Sequence, residues 1–270
     1  MISVKTPLNN TVYSIAGVDR PNIMRHHDGL ALENKKLKEQ NAELEEFAHV
    51  VAHLIKSPLC GITSALKFVV DDAAETLDSQ TVRLLKLIDA SSNKLQKLVD
   101  GILEHNRITS VSSCNKETFN LHDLIKETAD RLEYKENAVI TYPSSRHITA
   151  NKKALEQILY ILLANGIKYN DKQNMKIDVG FSETGSSYVF SVRDNGAGIR
   201  EEYLKKIFTM LVVIAPSDRF GNQGAGIGLA TLKKLVEAEG GQVKVESRPG
   251  SGTRFEFTIR KQREEPGIEA

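Results

Sequence analysis

The sequence predicts an α+β protein in which a helical hairpin precedes a sandwich of helices packed on a mixed β-sheet. Apolar residues recur at helical spacing between residues 30 and 103. Beyond residue 117, short alternating segments typical of strands are interleaved with apolar helices. The polar stretch 109–117 between these patterns predicts a linker. We expect a tail at 1–28, a helical domain at 29–110, an α/β domain at 111–262 and a tail at 263–270.

Composition limits the function classes. The 270 residues include 36 Lys and Arg against 35 Asp and Glu, a net charge of +1, which disfavours a protein that coats nucleic acid. The two cysteines, Cys60 and Cys114, lack the spacing of a zinc site and fit a reducing compartment. No apolar stretch approaches the roughly 20 residues that span a bilayer, and the start lacks a signal-peptide pattern. We expect a cytoplasmic protein.

The first helix carries a heptad pattern. Leu30, Leu37, Leu44 and Val51 are seven residues apart in a segment rich in Glu, Lys and Gln. The pattern fits either one amphipathic helix of a globular core or a dimeric coiled coil that leads into a bundle. The helix continues to about residue 70, with Pro58 inside it, where a kink is expected.

A second helix is predicted from Val82 to Leu103, where apolar residues recur at helical spacing. Asp78 or Ser79 is placed to cap its start. A lone hairpin cannot bury the apolar stripes of both helices. Dimerisation into a four-helix bundle solves this, so we expect a homodimer.

The α/β half alternates between segments with the 3.6-residue spacing of helices and segments with the two-residue alternation of strands. Strands paired by hairpins and interleaved with helices favour a mixed sheet covered by helices on one face. We expect helices at 121–135, 152–169 and 227–239, and strands at 138–142, 147–150, 175–181, 187–194, 242–247 and 253–259.

Two glycine-rich segments carry the strongest chemical signal. DNGAGI, residues 194–199, follows a strand, and Asp194 is placed to accept a hydrogen bond from an exocyclic amine; an exposed turn is the alternative. GNQGAGIGLA, residues 221–230, opens a helix whose N-terminal N–H groups favour phosphate over a mere flexible hinge. It is neither a Walker A loop nor a dinucleotide fingerprint, because Thr231 stands where the third glycine belongs.

Three further residues are candidates with ordinary alternatives. Asn165 lies on an otherwise apolar helix, where it either bonds nearby backbone or supplies an oxygen ligand to Mg²⁺, with Lys168 facing phosphate. His53 is either an ordinary helical histidine or a nucleophile, since neutral imidazole is competent near pH 7. The remaining six histidines show no supporting context in the sequence.

Together these segments resemble the characteristic boxes of the sensor histidine kinases of two-component signalling. AHLIKSPL resembles the H box with His53 at the phospho-accepting position, and ILLANGIKYN resembles the N box. DNGAGI resembles the G1 box, Ile207-Phe208 the F box and GAGIGLA the G2 box, while GSGTRFEFTI resembles the closing strand. The boxes occur in family order over about residues 30–260, and their combination is highly specific.

The resemblance implies a dimeric hairpin followed by a Bergerat-type ATP-binding sandwich. It implies autophosphorylation of His53 from ATP and transfer to an aspartate of a response-regulator receiver domain. No sensing module is visible in the sequence, so either it was removed from a longer chain or a separate sensor protein supplies the signal. Asn165 would ligate Mg²⁺, Lys168 and Tyr169 would flank the nucleotide, and Asp194 would bond the adenine amine. The remaining implied ATP-binding residues are Gly196, Gly198 and Ile199 at the base, Gly224, Gly226 and Gly228 at the phosphates, Arg219 in a lid at 209–223, and Thr253 through water.

Three departures from the family pattern stand out. Leu54 replaces the acidic residue that follows the histidine, which predicts impaired kinase activity, and Ile161 replaces a first asparagine of the N box. The lid segment TMLVVIAP is unusually apolar, so it either packs against something or extends the core. Ser57 stands where the family often has Thr or Asn that positions a water for phosphatase activity.

The rival hypothesis is a degenerate kinase that acts as a dimeric nucleotide-binding adaptor. A third type, a chaperone-type or mismatch-repair-type ATPase, is disfavoured by the H box.

Overall fold

A computed structural model describes the chain at residues 33, 35, 48, 50–52, 54–70, 78–111, 116–133, 137–222 and 224–261. The chain divides into two units, 1–47 and 48–270. The first is described only at two helical residues, so the predicted tail at 1–28 and the heptad positions Leu30, Leu37 and Leu44 lie outside the described residues, as do His53 and 262–270. The domain boundaries therefore stay predictions.

The hairpin consists of two helices. The first, α1, is helical from 54 to 70 and continues through Pro58. The second, α2, spans Ser79–Val111. It begins as predicted at Asp78, whose carboxylate accepts the amide hydrogens of Gln80 and Thr81 at 2.8 and 2.9 Å. Hydrogen bonds from Thr81 lower the pKa of Asp78. No helix in the described ranges is both long enough and apolar enough to cross a membrane.

The α/β part contains a five-stranded mixed sheet and a two-stranded sheet. In the larger sheet the strand order is β2-β4-β5-β7-β6, with β2 parallel to β4 and the other pairs antiparallel. In the smaller sheet β1 pairs antiparallel with β3. The elements are β1 (Glu117–Asn120), α3 (Leu121–Asp130), β2 (Ala138–Thr141), β3 (His147–Ala150), α4 (Lys152–Lys168), β4 (Met175–Glu183), β5 (Ser187–Asp194), α5 (Glu201–Leu204), α6 (Gly228–Ala238), β6 (Val243–Ser247) and β7 (Thr253–Arg260).

The core lies between one face of the large sheet and helices α3, α4 and α6. Alternate residues of β5 and β7 point toward the helices, and Phe190 stacks on Phe257 with ring centroids 4.9 Å apart. Helix α4 is buried on most of its surface, which explains why its sequence is apolar nearly all round. The opposite face of the sheet carries exposed side chains such as Arg193 and Arg254. Helices thus cover one face, as the sequence predicts.

The structure differs from the sequence-based expectation at four places. Strand β1 was not predicted, because its four residues lie beside a polar linker and carry too little periodicity. Helix α5 was not predicted, because a four-residue helix is too short to show a helical period. Helix α3 ends at Asp130 rather than residue 135. The predicted linker 109–117 is shorter, since α2 continues to Val111 and β1 begins at Glu117.

The C-terminal part of α2 packs on α6. A Cβ built on Gly101 would lie 2.7 Å from the Ile227 Cδ1 atom, so only glycine admits this side chain without adjustment. Lys234 donates to the His105 carbonyl oxygen at 2.9 Å, and the His105 Nδ1 atom lies 3.3 Å from the Thr231 hydroxyl. Burial, and secondarily Lys234, lower the pKa of His105. His105 therefore has a specific packing role that the sequence did not reveal.

Candidate functional site

The candidate site lies where the sheet, the end of α4 and the start of α6 meet. Asp194 ends β5 and Thr253 begins β7. In the strand alternation, both side chains share the core-facing side of the sheet with Val192 and Phe255. The site therefore lies at one end of the core.

Asp194 is held through one of its two carboxylate oxygens. Its Oδ1 atom accepts hydrogen bonds from the amides of Gly196 at 2.8 Å and Thr253 at 3.2 Å. No group among the described residues donates to Oδ2. Burial raises the pKa of Asp194 despite these two amide donors, and the charge of Asp171 adds to the rise. The arrangement leaves one desolvated, oriented acceptor for a ligand.

Close backbone contacts explain the glycines beside Asp194. Gly252 has φ +83°, and a Cβ there would collide with the Asp194 carbonyl group. Gly198 has φ +71°, and a side chain would strike the Arg248 carbonyl oxygen. The two glycine turns therefore bring the 194–199 segment and the 250–253 turn into direct contact.

A second shared residue joins these segments. The Ser247 Oγ atom accepts the amide hydrogen of Ile199 at 2.8 Å and lies 2.9 Å from both the Gly252 carbonyl oxygen and the Thr253 hydroxyl. Thr253 is only 6% exposed. Sequence reasoning missed Ser247, because its partner Ile199 is 48 positions away and no motif marks the serine.

An asparagine pair fixes the end of α4 against the sheet. The Asn170 amide group donates to the Gly166 carbonyl oxygen at 3.2 Å and to the Asn195 side-chain oxygen at 3.0 Å. That Asn195 oxygen also accepts the Lys176 amide hydrogen at 2.9 Å. Asn170 is buried, and its side-chain oxygen accepts the Lys172 amide hydrogen at 2.9 Å. This network sets the distance between α4 and Asp194, and the sequence did not predict it.

The predicted residues of α4 lie at the end of the helix that borders the candidate site. Asn165 is half-buried, and no described group bonds its side chain. Lys168 is exposed at the end of the helix. Burial, together with the charge of Asp218, raises the pKa of Tyr169, whose hydroxyl lies against Gly224. The Ile161 side chain packs near Gly228, where a Cβ would meet it at 3.5 Å.

The loop between α5 and α6 passes directly over the second glycine segment. The Leu211 amide donates to the Gly226 carbonyl oxygen at 2.8 Å, and both residues have positive φ, +65° and +70°. A Cβ on Gly226 would collide with the backbone of residues 211 and 212. Leu211, Val213 and Ile214 are exposed, so the alternative that they extend the core is wrong. The Arg219 guanidinium contacts the Met175 sulfur and the Lys172 carbonyl oxygen.

The start of α6 suits an anion. Ile227 precedes the helix without a side-chain cap, so the first-turn N–H groups have no capping acceptor. The positive end of the α6 dipole also lies at this first turn, which follows Gly224 and Gly226 in the sequence.

The two hairpin residues that differ from or match the family pattern near His53 are both exposed. Ser57 is exposed, and Leu54 is 66% exposed.

Comparison with known proteins assigns both parts of the chain. Residues 43–111 match the family model of the His Kinase A (phospho-acceptor) domain. Residues 150–263 match the model of the histidine kinase-, DNA gyrase B-, and HSP90-like ATPases. The chain belongs to the sensor histidine kinases. The resemblance drawn from the H, N, G1, F and G2 boxes is thereby confirmed.

The kinase relatives are longer than this chain. Cyanobacterial phytochrome B of Nostoc sp. is 31% identical over 242 residues, which is 88% of this chain and 32% of the relative. The methanogenesis regulatory histidine kinase FilI of Methanothrix harundinacea is 29% identical over 83% of this chain and 25% of its own length. The chain thus spans about a third or less of the relatives it matches.

Solved structures show the same fold. The crystal structure of full-length ShkA in complex with AMPPNP superposes with a TM-score of 0.61 at 22% identity, over 82% of this chain and 47% of ShkA. Acinetobacter baumannii histidine kinase AdeS gives a TM-score of 0.52 at 18% identity, over 76% of this chain and 96% of AdeS. The predicted kinase fold, a helical hairpin followed by an α/β ATPase domain, is confirmed. The predicted kinase site residues stay predictions.

Proposed function

We propose that the chain is an ATP-dependent protein-histidine kinase that phosphorylates His53 and passes the phosphoryl group to an aspartate of a response-regulator receiver domain. The observation that carries the proposal is the half-occupied carboxylate of Asp194, whose Oδ2 atom has no donor among the described residues. The uncapped N-terminus of α6 supplies a separate position for the phosphates. The match to the phospho-acceptor domain over 43–111 supports His53 as the acceptor.

The base and the phosphates would occupy opposite ends of the candidate site. Asp194 Oδ2 accepts the exocyclic amine of adenine, and the loop of Gly196, Gly198 and Ile199 surrounds the ring. The phosphates lie on the α6 N-terminus and the backbone of Gly224, Gly226 and Gly228. Lys168 and Tyr169 flank the nucleotide, and a phosphate contact by Arg219 requires its guanidinium to leave Met175. The AMPPNP complex of ShkA is consistent with a nucleotide on this fold.

Mg²⁺ fits the donor set beside the phosphates. The Asn165 oxygen is a hard ligand with no partner among the described residues, and Mg²⁺ in nucleotide sites is held by few protein groups plus phosphate oxygens. When bound, the ion neutralises phosphate charge. Ile161 supplies no second amide in this region, so Asn165 carries the protein's share of the ligation.

Phosphoryl transfer then follows from the chain's own groups. An imidazole nitrogen of His53 attacks the γ-phosphorus, the bond to the leaving ADP oxygen breaks, and the imidazole loses its proton to an acceptor. In the second step an aspartate oxygen of the receiver domain takes the phosphoryl group and the imidazole regains a proton. Ser57 follows His53 by four residues in the sequence, about one turn of an ideal helix, and its hydroxyl would orient a water for dephosphorylation.

A second copy of the chain is the proposed partner of the hairpin. Domains of this phospho-acceptor type usually dimerise histidine kinases. A groove lined by Leu59, Leu84, Leu87, Ile88 and Leu95 runs along the hairpin, and four of these five side chains are exposed in one chain. Pairing two grooves would form the four-helix bundle. A separate sensor protein is proposed as a further partner.

Two residues favour a second candidate, a dimeric nucleotide-binding adaptor that does not phosphorylate itself. Leu54 has no acceptor with which to orient His53 or take its proton. Ile161 packs beside Gly228 and removes one potential amide ligand. The adaptor and the kinase share the nucleotide site, so phosphorylation of His53 alone separates them.

Labelling with γ-labelled ATP tests the kinase. We expect wild-type protein to incorporate an acid-labile label and His53→Ala to incorporate none, because the ring nitrogen is the nucleophile. His49→Ala, which removes another histidine from the same segment, serves as the matched control and should keep the label. Absence of label in every form, with ATP binding intact, would establish the adaptor instead.

Binding measurements on Asp194→Asn test the base site. We expect ATP affinity to fall roughly five- to a hundred-fold, because a mismatched buried hydrogen bond costs about 1–3 kcal/mol. The ionised carboxylate is the stronger acceptor for the amine, so wild-type affinity should also fall as the pH drops through the raised pKa of Asp194, and Asp194→Asn should lose this dependence. Calorimetry on wild type, Asp194→Asn and the exposed control Asp123→Asn measures both effects. Unchanged affinity of Asp194→Asn would remove Asp194 from the site.

A further inference from the structure

Ser247 makes every hydrogen bond that a hydroxyl can make. Its Oγ atom accepts the Ile199 amide hydrogen at 2.8 Å, and it lies 2.9 Å from the Gly252 carbonyl oxygen and 2.9 Å from the Thr253 hydroxyl. A hydroxyl has one proton and two lone pairs. The carbonyl oxygen can only accept, so the Ser247 proton is committed to Gly252.

This arrangement fixes the direction of the neighbouring hydroxyl. With its own proton on Gly252, Ser247 can only accept from Thr253, and the Thr253 proton therefore points at Ser247. The Thr253 oxygen keeps only lone pairs for any other partner. Its amide meanwhile donates to Asp194 Oδ1, which places Thr253 directly beside the carboxylate.

We infer that Ser247 is a positioning residue that sets base specificity by holding Thr253 as a hydrogen-bond acceptor. The inference rests on the proposed function, in which the base meets Asp194. With Ser247 in place, the base end of the site presents two acceptors, Asp194 Oδ2 and the Thr253 oxygen, the latter directly or through a water. A purine with an amino group at position 6 satisfies them with its two hydrogens. A purine with an oxygen at position 6 has no amino hydrogens there and offers only its N1–H as a donor, so at least one of the two acceptors is left unpaired beside a third acceptor.

Ser247 also connects the two segments that form the base end. Its bond to Ile199 holds the 194–199 loop, and its bond to Gly252 holds the turn that contacts the Asp194 backbone. Loss of the hydroxyl thus has two separable consequences. The Thr253 proton becomes free to rotate toward the base, and the Ile199 amide loses its acceptor.

The test compares ATP with ITP, which carries an oxygen in place of the 6-amino group. For Ser247→Ala we expect the ratio of ATP to ITP affinity to fall roughly tenfold, since one hydrogen bond of discrimination is lost. Hydrogen exchange of the Ile199 amide in the nucleotide-free protein should accelerate by a similar factor. Ser251→Ala, an exposed serine in the adjacent turn, is the matched control and should change neither quantity.

A second variant separates positioning from a general loss of structure. Thr253→Val in the Ser247→Ala background removes the freed donor and should restore part of the ATP preference. If Ser247→Ala lowers the affinities for ATP and ITP equally, Ser247 is merely structural and the inference is overturned. If Ser247→Ala destabilises the fold, the affinities for ATP and ITP are measured instead on Ser247→Cys, which keeps the side-chain size, and their ratio is interpreted in the same way. Failure of Asp194→Asn to weaken ATP binding would instead overturn the proposed base site itself.

Discussion

Replacing Leu54 by glutamate is expected to accelerate autophosphorylation of His53 by about 10²–10⁴-fold. That range is typical of general-base assistance, which a leucine cannot supply because it has no acceptor. Leu54 is 66% exposed on α1, so a carboxylate there stays hydrated and the hairpin should tolerate it. Initial rates of label transfer from γ-labelled ATP measure the effect, with ATP affinity determined in parallel. The affinity should barely change, because Leu54 belongs to the hairpin and not to the proposed nucleotide site.

A control on the same helix isolates the chemistry from added charge. Ser64 is exposed on α1 ten residues after Leu54, an axial rise of about 15 Å. Ser64→Glu adds the same charge beyond reach of the imidazole and should leave the rate unchanged. A brisk wild-type rate that Leu54→Glu does not raise would show that another group assists His53. The predicted impairment of the kinase would then be wrong.

Local patterns in the sequence were sufficient to predict most elements. Strand β5 was predicted with its observed bounds, because its residues alternate cleanly and Asp194 with the following Gly196 ends it. Strand β1 escaped prediction because four residues beside a polar linker carry too little periodicity. Helix α3 was predicted too long, since the apolar pattern continues through Leu132 while the helix ends at Asp130.

The glycines of the candidate site were predictable from short sequence motifs. Neighbouring backbone lies too close to Gly198 and Gly226 for any side chain, and positions of this kind appear in a sequence as short glycine-rich patterns. Ser247 and Asn170 were not predictable, because their roles arise from partners brought together only by the fold. Ser247 meets Ile199 across 48 positions of sequence, and Asn170 meets Asn195 across 25. His105 was missed for the same reason, since its contacts with Thr231 and Lys234 come from α6.

Leu95→Lys is expected to dissociate the proposed dimer. Leu95 is 44% exposed in one chain and lies in the apolar groove that a second hairpin would cover. An uncompensated charge in such a core costs about 3–5 kcal/mol, which raises the dissociation constant roughly 10²–10³-fold or more when both chains carry it. Light scattering over a concentration series measures the molar mass, and circular dichroism shows whether the helices persist.

Asn93→Lys provides the matched control for the groove. Asn93 is exposed on the opposite side of α2 and lies one turn after Asp89, so the new lysine adds the same charge and gains a favourable partner. This variant should retain the wild-type mass. Dissociation by Leu95→Lys alone would locate the interface on the groove, because charge and helix position are otherwise matched. A wild-type protein that is monomeric at all concentrations would contradict the bundle. A Leu95→Lys variant that stays dimeric with its helices intact would place the interface outside the groove.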